Sequence, residues 1–237
     1  MPDIALALRA MRLSDAAYEL DGAKRAALVA GTGAVETHYL VGQNDARALV
    51  AVADGVRFIA FQGTQFGRGE VASIAENLKV EPIELGDGRL AEAGYWQQMQ
   101  DLVPSIGALP AWSGPLIVTG HSMGGCIAHL YAATQPLPAG TRVITFGAPK
   151  CGNASLWVSS ALLPERWVHE RDFAPDWPYL PAEWTQPAGG FYWMHDGAVR
   201  SVAGDRGSVN ISVSDHMPAE YVDELSALAF ASPSTAA

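Results

Sequence analysis

A chain of 237 residues, 49% apolar and 17% charged, is long enough to bury a sizeable core and reads as one large globular domain over residues 1–237. Its formal charge of −10, with 15 basic residues and no Lys/Arg cluster, argues against nucleic-acid partners and against electrostatic attachment to anionic membranes. Solubility alone accounts for that acidity.

The first twenty residues break their apolar run with Asp3, Arg9, Arg12 and Asp15. They lack the uninterrupted core and small-residue cleavage site of a signal peptide, so the expected location is cytoplasmic, or outside by a route without a classical signal. No stretch approaches 18 uncharged apolar residues, and no membrane span is expected. Ala5, Leu6, Leu8, Met11, Leu13 and Ala16-Ala17 suit a first helix. Gly31-Thr32-Gly33 starts like a dinucleotide-binding turn, but Glu36 stands where the third glycine belongs, which discounts that reading.

Residues 36–41 and 47–53 read as strands. Asp54-Gly55 between the apolar runs Ala48 to Ala53 and Val56 to Phe61 is a strong hairpin signal. Residues 91–108 read as a helix, with Ala91, Tyr95, Met99, Leu102 and Ile106 on one face. Leu116-Ile117-Val118 opens a buried strand, Gly125 to Ala133 has a helical pattern, and Val143 to Phe146 and Arg166 to Val168 are further short strands. Val222 to Leu228 fits a last helix, and Ser232 to Ala237 a frayed tail. Strands alternating with helices, without repeat or linker, predict an α/β domain: a mostly parallel central sheet flanked by helices, with an antiparallel hairpin near its N-terminus. Cys126 and Cys151 are too few for a disulfide framework and form no zinc pattern. Cys126 suits the buried start of a helix, and pairing between the two stays open.

Between the strand at 116 and the helix from 125 lies Gly120-His121-Ser122-Met123-Gly124, a G-x-S-x-G pattern. In a sharp strand-to-helix turn the serine backbone is forced into an unfavourable region, and side chains at the glycine positions would collide with their neighbours. Such a turn exposes the hydroxyl and aims the next amide at the atom it attacks. A serine hydroxyl is a poor nucleophile near neutral pH and needs a base, with a third group to orient that base. On such elbows the chain order is serine, acid, histidine. His129 lies on the following helix and reads as a packed or surface residue. Of His169, His195 and His216, chain order favours His216, on a loop before the last helix, with His195 second. Asp172, just after a predicted strand, is preferred as the acid over Asp176. The spacings are then 50 residues from Ser122 to Asp172 and 44 from Asp172 to His216.

In this order the residues resemble the class 3 (fungal-type) lipases, a family of the α/β-hydrolase fold. Phe58-Ile59-Ala60-Phe61-Gln62-Gly63-Thr64 is similar to the family's oxyanion segment, Gly120 to Gly125 to its elbow, Phe146 to Lys150 to a strand end, Arg171 to Pro175 to its acid loop, and Asp215-His216 to its base. The resemblance implies a carboxylic ester hydrolase of lipid-like substrates, with catalytic Ser122, Asp172 and His216 and oxyanion donors at Thr64 and Met123. It also implies no metal or other cofactor, and a non-catalytic histidine at the position of His195. Gln62 stands where the family usually has Arg, so a buried ion pair common in relatives is expected to be absent here, and separately Glu92 stands where the family usually has His. Residues 65–78, with Gly67 and Gly69 as hinges and Val71, Ile74 and Leu78 on one face, are either a lid or an ordinary surface helix. Trp177, Tyr179, Trp184, Phe191, Tyr192 and Trp193 are either walls of an acyl pocket or core packing. A small ester or lipid is the expected partner, with transient contact at a lipid interface. The oligomeric state stays open. So does the choice among a triacylglycerol lipase or carboxylesterase, a phospholipase, an aryl-ester or polyester hydrolase, and an inactive binding protein of the same fold.

Overall fold

The computed structural model describes residues 2–65, 81–160, 163–178, 183–195, 197–201 and 212–231. Apart from Gln65, the candidate lid at 65–78 lies outside them, as do Tyr179 and the tail 232–237.

Helix α1 (Ile4–Ala16) begins where the Asp3 carboxylate accepts the Leu6 N–H, and it buries Ala7, Ala10, Met11, Leu13 and Ala16. Helix α2 (Gly22–Ala30) is capped by Asp21. Strands β1 (Val35–Val41), β2 (Arg47–Ala53) and β3 (Val56–Phe61) pair antiparallel in sequence. Between β2 and β3, Asp54 and Gly55 take φ of 51° and 74°, the two positive values that a tight hairpin turn demands.

Strands β4 (Pro82–Glu84) and β5 (Leu90–Glu92) lead into α3 (Ala93–Gly107), where the buried Glu92 caps the helix by accepting the Tyr95 N–H at 2.7 Å. The helix thus starts two residues later than its apolar spacing predicts. Then come β6 (Leu116–His121), α4 (Met123–Thr134), β7 (Arg142–Phe146), β8 (Gly152–Asn153), α5 (Ala154–Val158) and β9 (Glu165–His169). The chain continues through β10 (Trp184–Thr185), β11 (Gly190–His195) and β12 (Ala198–Ser201) to α6 (Pro218–Ala231).

Among the described residues the main sheet has eight strands in the order β1-β2-β3-β6-β7-β9-β11-β12. Its centre, β3 to β11, is parallel, and both flanks are antiparallel. A small antiparallel sheet, β10-β8-β5-β4, lies apart from it. Two apolar cores explain why β6 is buried along its whole length. One joins the sheet to α3 and α4 through Met99, Leu102, Ile127 and Leu130, and the other joins it to α1 and α6 through Met11, Leu13, Tyr221 and Leu225. Covering both faces is what parallel strands require, and it leaves their C-terminal ends free to carry a site.

Candidate active site

β6 ends at His121 and α4 begins at Met123, so Ser122 alone makes the turn, with φ 56° and ψ −130°. Such a conformation costs a non-glycine residue about 1–3 kcal/mol and persists only where the surroundings impose it. The Ser122 N–H donates to the Phe146 carbonyl at 2.9 Å, and its own carbonyl accepts from Gly125 at 2.9 Å. A Cβ on Gly120 would lie 2.2 Å from the Gly124 oxygen, and one on Gly124 would lie 2.2 Å from the Phe61 oxygen. The glycines of the motif are there because strand, turn and helix approach one another too closely for any side chain.

The Ser122 hydroxyl lies 2.8 Å from His216 Nε2, and His216 Nδ1 lies 2.9 Å from both carboxylate oxygens of Asp172. All three residues are buried. Asp172 is further held by the Ala174 N–H at 2.8 Å and by the Tyr221 hydroxyl, which donates to Oδ2 at 2.6 Å. An imidazole whose Nδ1–H is fixed by a carboxylate presents Nε2 as an acceptor to the serine. The loops carrying acid and base are stitched together, because the Ser212 N–H donates to the Arg171 carbonyl at 2.8 Å and the Arg171 N–H to Asp215 at 3.0 Å. At the end of β7, Gly147 takes φ 55°, and a Cβ there would stand 2.5 Å from Asp172 Oδ2, 2.9 Å from the Tyr221 hydroxyl and 3.1 Å from His216 Nδ1.

His121 is tied on both sides. Its Nε2 meets the His216 carbonyl at 2.8 Å, and its Nδ1 meets the Tyr18 hydroxyl at 3.0 Å. Burial, aided by the neighbouring His216, pushes its pKa well below the usual 6.5, so the ring stays neutral. Burial likewise pushes the Tyr18 hydroxyl far up.

Thr64 follows β3 and turns its hydroxyl towards Met123 Sδ at 3.5 Å, a weak acceptor that is easily exchanged for a better one. Met123 opens α4, where the first N–H groups have no partner within the helix. A cavity of about 250 Å³ is lined by Asp15, Tyr18, Thr64, His121, His216, Met217, Pro218 and Ala219.

The structure thus brings Ser122, Asp172 and His216 into one hydrogen-bonded chain, with Thr64 beside Met123. The remaining histidines lie elsewhere. His129 is buried and bonds Thr145 at 3.0 Å, His169 ends β9 against Tyr221, and His195 ends β11 at 2.5 Å from Glu170. Asp176 sits in the 3-10 turn that follows Asp172. Gln62 is buried and donates to the Ala17 carbonyl at 2.8 Å. Cys126 and Cys151 are free and buried. Trp184 and Phe191 are buried, Tyr192 lies on Trp167, and Trp193 stacks on His195.

The family model for Lipase (class 3) matches residues 58–181, which include the elbow and the acid loop. The chain belongs to the class 3 lipases. It is accordingly a carboxylic ester hydrolase. The fold is similar to that of the Rhizomucor miehei lipase propeptide complex, with a TM-score of 0.72 and 22% identity over 89% of this chain and 78% of that one. Lipase II from Rhizopus niveus aligns with a TM-score of 0.70 and 21% identity over 90% and 92%, and the lipase from Rhizopus microsporus var. chinensis with 0.69 and 20% over 90% and 85%. No curated protein gives a significant match to the sequence.

Sequence reasoning about this class 3 lipase misses Tyr221, whose hydroxyl holds Asp172, and Tyr18, which anchors His121. Neither belongs to a motif in the sequence. The one available signal was that a buried tyrosine needs a hydrogen-bond partner for its hydroxyl.

Proposed function

We propose that Ser122, His216 and Asp172 form the catalytic triad of this class 3 lipase, working on lipid-like esters through an acyl-enzyme. The carrying observation is the unbroken hydrogen-bonded chain from Ser122 through His216 to Asp172, rooted in a strained elbow. Ser122 Oγ attacks the ester carbonyl carbon as His216 Nε2 takes its proton. The N–H groups of Thr64 and Met123, joined by the Thr64 hydroxyl turned away from Met123 Sδ, stabilise the oxyanion. Collapse expels the alcohol, which leaves with the proton returned by His216. Water, activated by the same nitrogen, then releases the acid and restores Ser122. Asp172 stays ionised, fixing the ring and balancing its charge. Each oxyanion donor is worth about 2.7–4 kcal/mol of barrier.

Val213 and Met217, each more than a third exposed and close to His216 in sequence, support transient contact with a lipid surface. Ser122→Ala should lower kcat on p-nitrophenyl esters by about 10⁶-fold and abolish labelling by a fluorophosphonate. Labelling that persists in the variant would falsify the assignment. A profile of rate against acyl length and head group, with a check for a rate jump beyond the solubility limit of a triglyceride, separates lipase from esterase and phospholipase.

A further inference from the structure

The cavity beside His216 contains a carboxylate that takes no part in the hydrogen-bonded chain of Ser122. Asp15 lies in the last turn of α1 and lines the cavity together with Tyr18, Thr64, His121, His216 and Met217. Among the described residues its side chain has no hydrogen bond and no ion pair, although it is partly buried. Burial raises its pKa, which marks the site as unfavourable for a charge. The C-terminal end of a helix is also the wrong end for an acid, and the last turn of α1 carries no basic residue to offset it. Local rules broken without local compensation concentrate at functional positions.

We propose that this cavity seats the alcohol half of the ester and that Asp15 selects alcohols bearing a free hydroxyl, that is, partial esters of a short polyol. The inference rests on the acyl-enzyme reading, since His216 must reach the departing oxygen to return its proton, and His216 borders this cavity. At about 250 Å³ the space lies below the roughly 300–1,000 Å³ that holds drug-sized ligands, which suits a three-carbon polyol. Met217, Pro218 and Ala219 offer apolar contact to a carbon skeleton, and Asp15 offers a charged acceptor to its hydroxyl. Tyr18 and His121 are both held neutral by burial, so neither brings a charge that competes for the carboxylate. An alcohol without a donor leaves Asp15 desolvated and unpaired, so the discrimination comes as much from rejecting the wrong ester as from holding the right one.

The test compares glycerol monobutyrate with butyl butyrate by acid release. Both give the same acyl-enzyme, so the ratio of kcat/KM reports acylation alone. Rates are counted per serine titrated by a fluorophosphonate. The wild type should favour the glycerol ester by about tenfold, the effect of one charge-assisted hydrogen bond at a partly exposed site. Asp15→Ala and Asp15→Leu should bring the ratio close to one, and the smaller substitution carries the test if the larger fails to fold. A ratio unmoved by Asp15→Ala, no preference in the wild type, or a stronger preference for choline butyrate would each overturn the proposal. Labelling that survives Ser122→Ala would instead sink the acyl-enzyme reading, so the two failures are distinguishable.

Discussion

Two sides of Ser122 are built on opposite terms. Towards the base, the Ser122 hydroxyl, both nitrogens of His216 and both oxygens of Asp172 have partners, and Tyr221 and the Ala174 N–H add a further layer. Towards α1, the Asp15 carboxylate is half-hidden and unanswered among the described residues. On the triad we propose, the first side contains what any ester requires: a held base and an oriented proton. The second contains a group whose partner is best supplied by the substrate. Machinery common to all substrates can be locked into the fold, whereas selectivity is left as an unfilled interaction that only the right molecule completes.

The contrast can be broken at three points. The largest effect is expected from Asp172→Asn, which preserves shape but removes the charge that fixes the His216 tautomer. The kcat for a p-nitrophenyl ester should fall by about 10⁴-fold. A loss under tenfold would mean that the carboxylate is not the orienting group. Next comes Tyr221→Phe, which takes one hydrogen bond from an ionised acceptor that keeps its others. A drop of about tenfold in kcat with little change in KM is expected, and a change in KM alone would assign Tyr221 to packing.

The smallest effect has the opposite sign. Asp15→Asn should raise stability by about 0.3–1 kcal/mol in thermal or denaturant unfolding at neutral pH, from the helix-end charge alone. Burial places the folded pKa of Asp15 above its unfolded value, so folding disfavours the ionised form. The penalty is fully present above the folded pKa and fades as pH falls towards the unfolded one. The advantage of Asp15→Asn should therefore shrink on acidification, read beside the other groups of the cavity, Tyr18, His121 and His216. A variant less stable than wild type at neutral pH would show that Asp15 is structurally satisfied.

Signals confined to a few neighbouring residues were readable before the fold was known. Asp54-Gly55 announces its hairpin, and the glycines around Ser122 announce the elbow, because each turn is determined by residues adjacent in sequence. Asp172 and His216 could be singled out as candidates because the chain order of such sites is constrained, and the structure brings them within hydrogen-bond distance. Helix α2 was not anticipated: it buries only Arg25 and Val29, too little to produce an apolar stripe. The small sheet was equally invisible, since β8 and β10 have two residues each and exist only because the chain returns to them. Within the site, the roles of Tyr221, Gly147 and Asp15 depend on what each meets across the fold. In the sequence Asp15 is only a charge interrupting an apolar helix.

The two bonds of His121 bear on how the protein comes into being. One imidazole joins Tyr18 to the backbone of His216, spans of 103 and 95 residues along the chain. During synthesis Ser122 and its elbow emerge 94 residues before His216, the base of the proposed triad. A partly made chain therefore carries Ser122 without the group that activates it. On that triad, reactivity is withheld until the segment carrying His216 and α6 docks against α1, so a partly made chain that holds Ser122 is not yet armed.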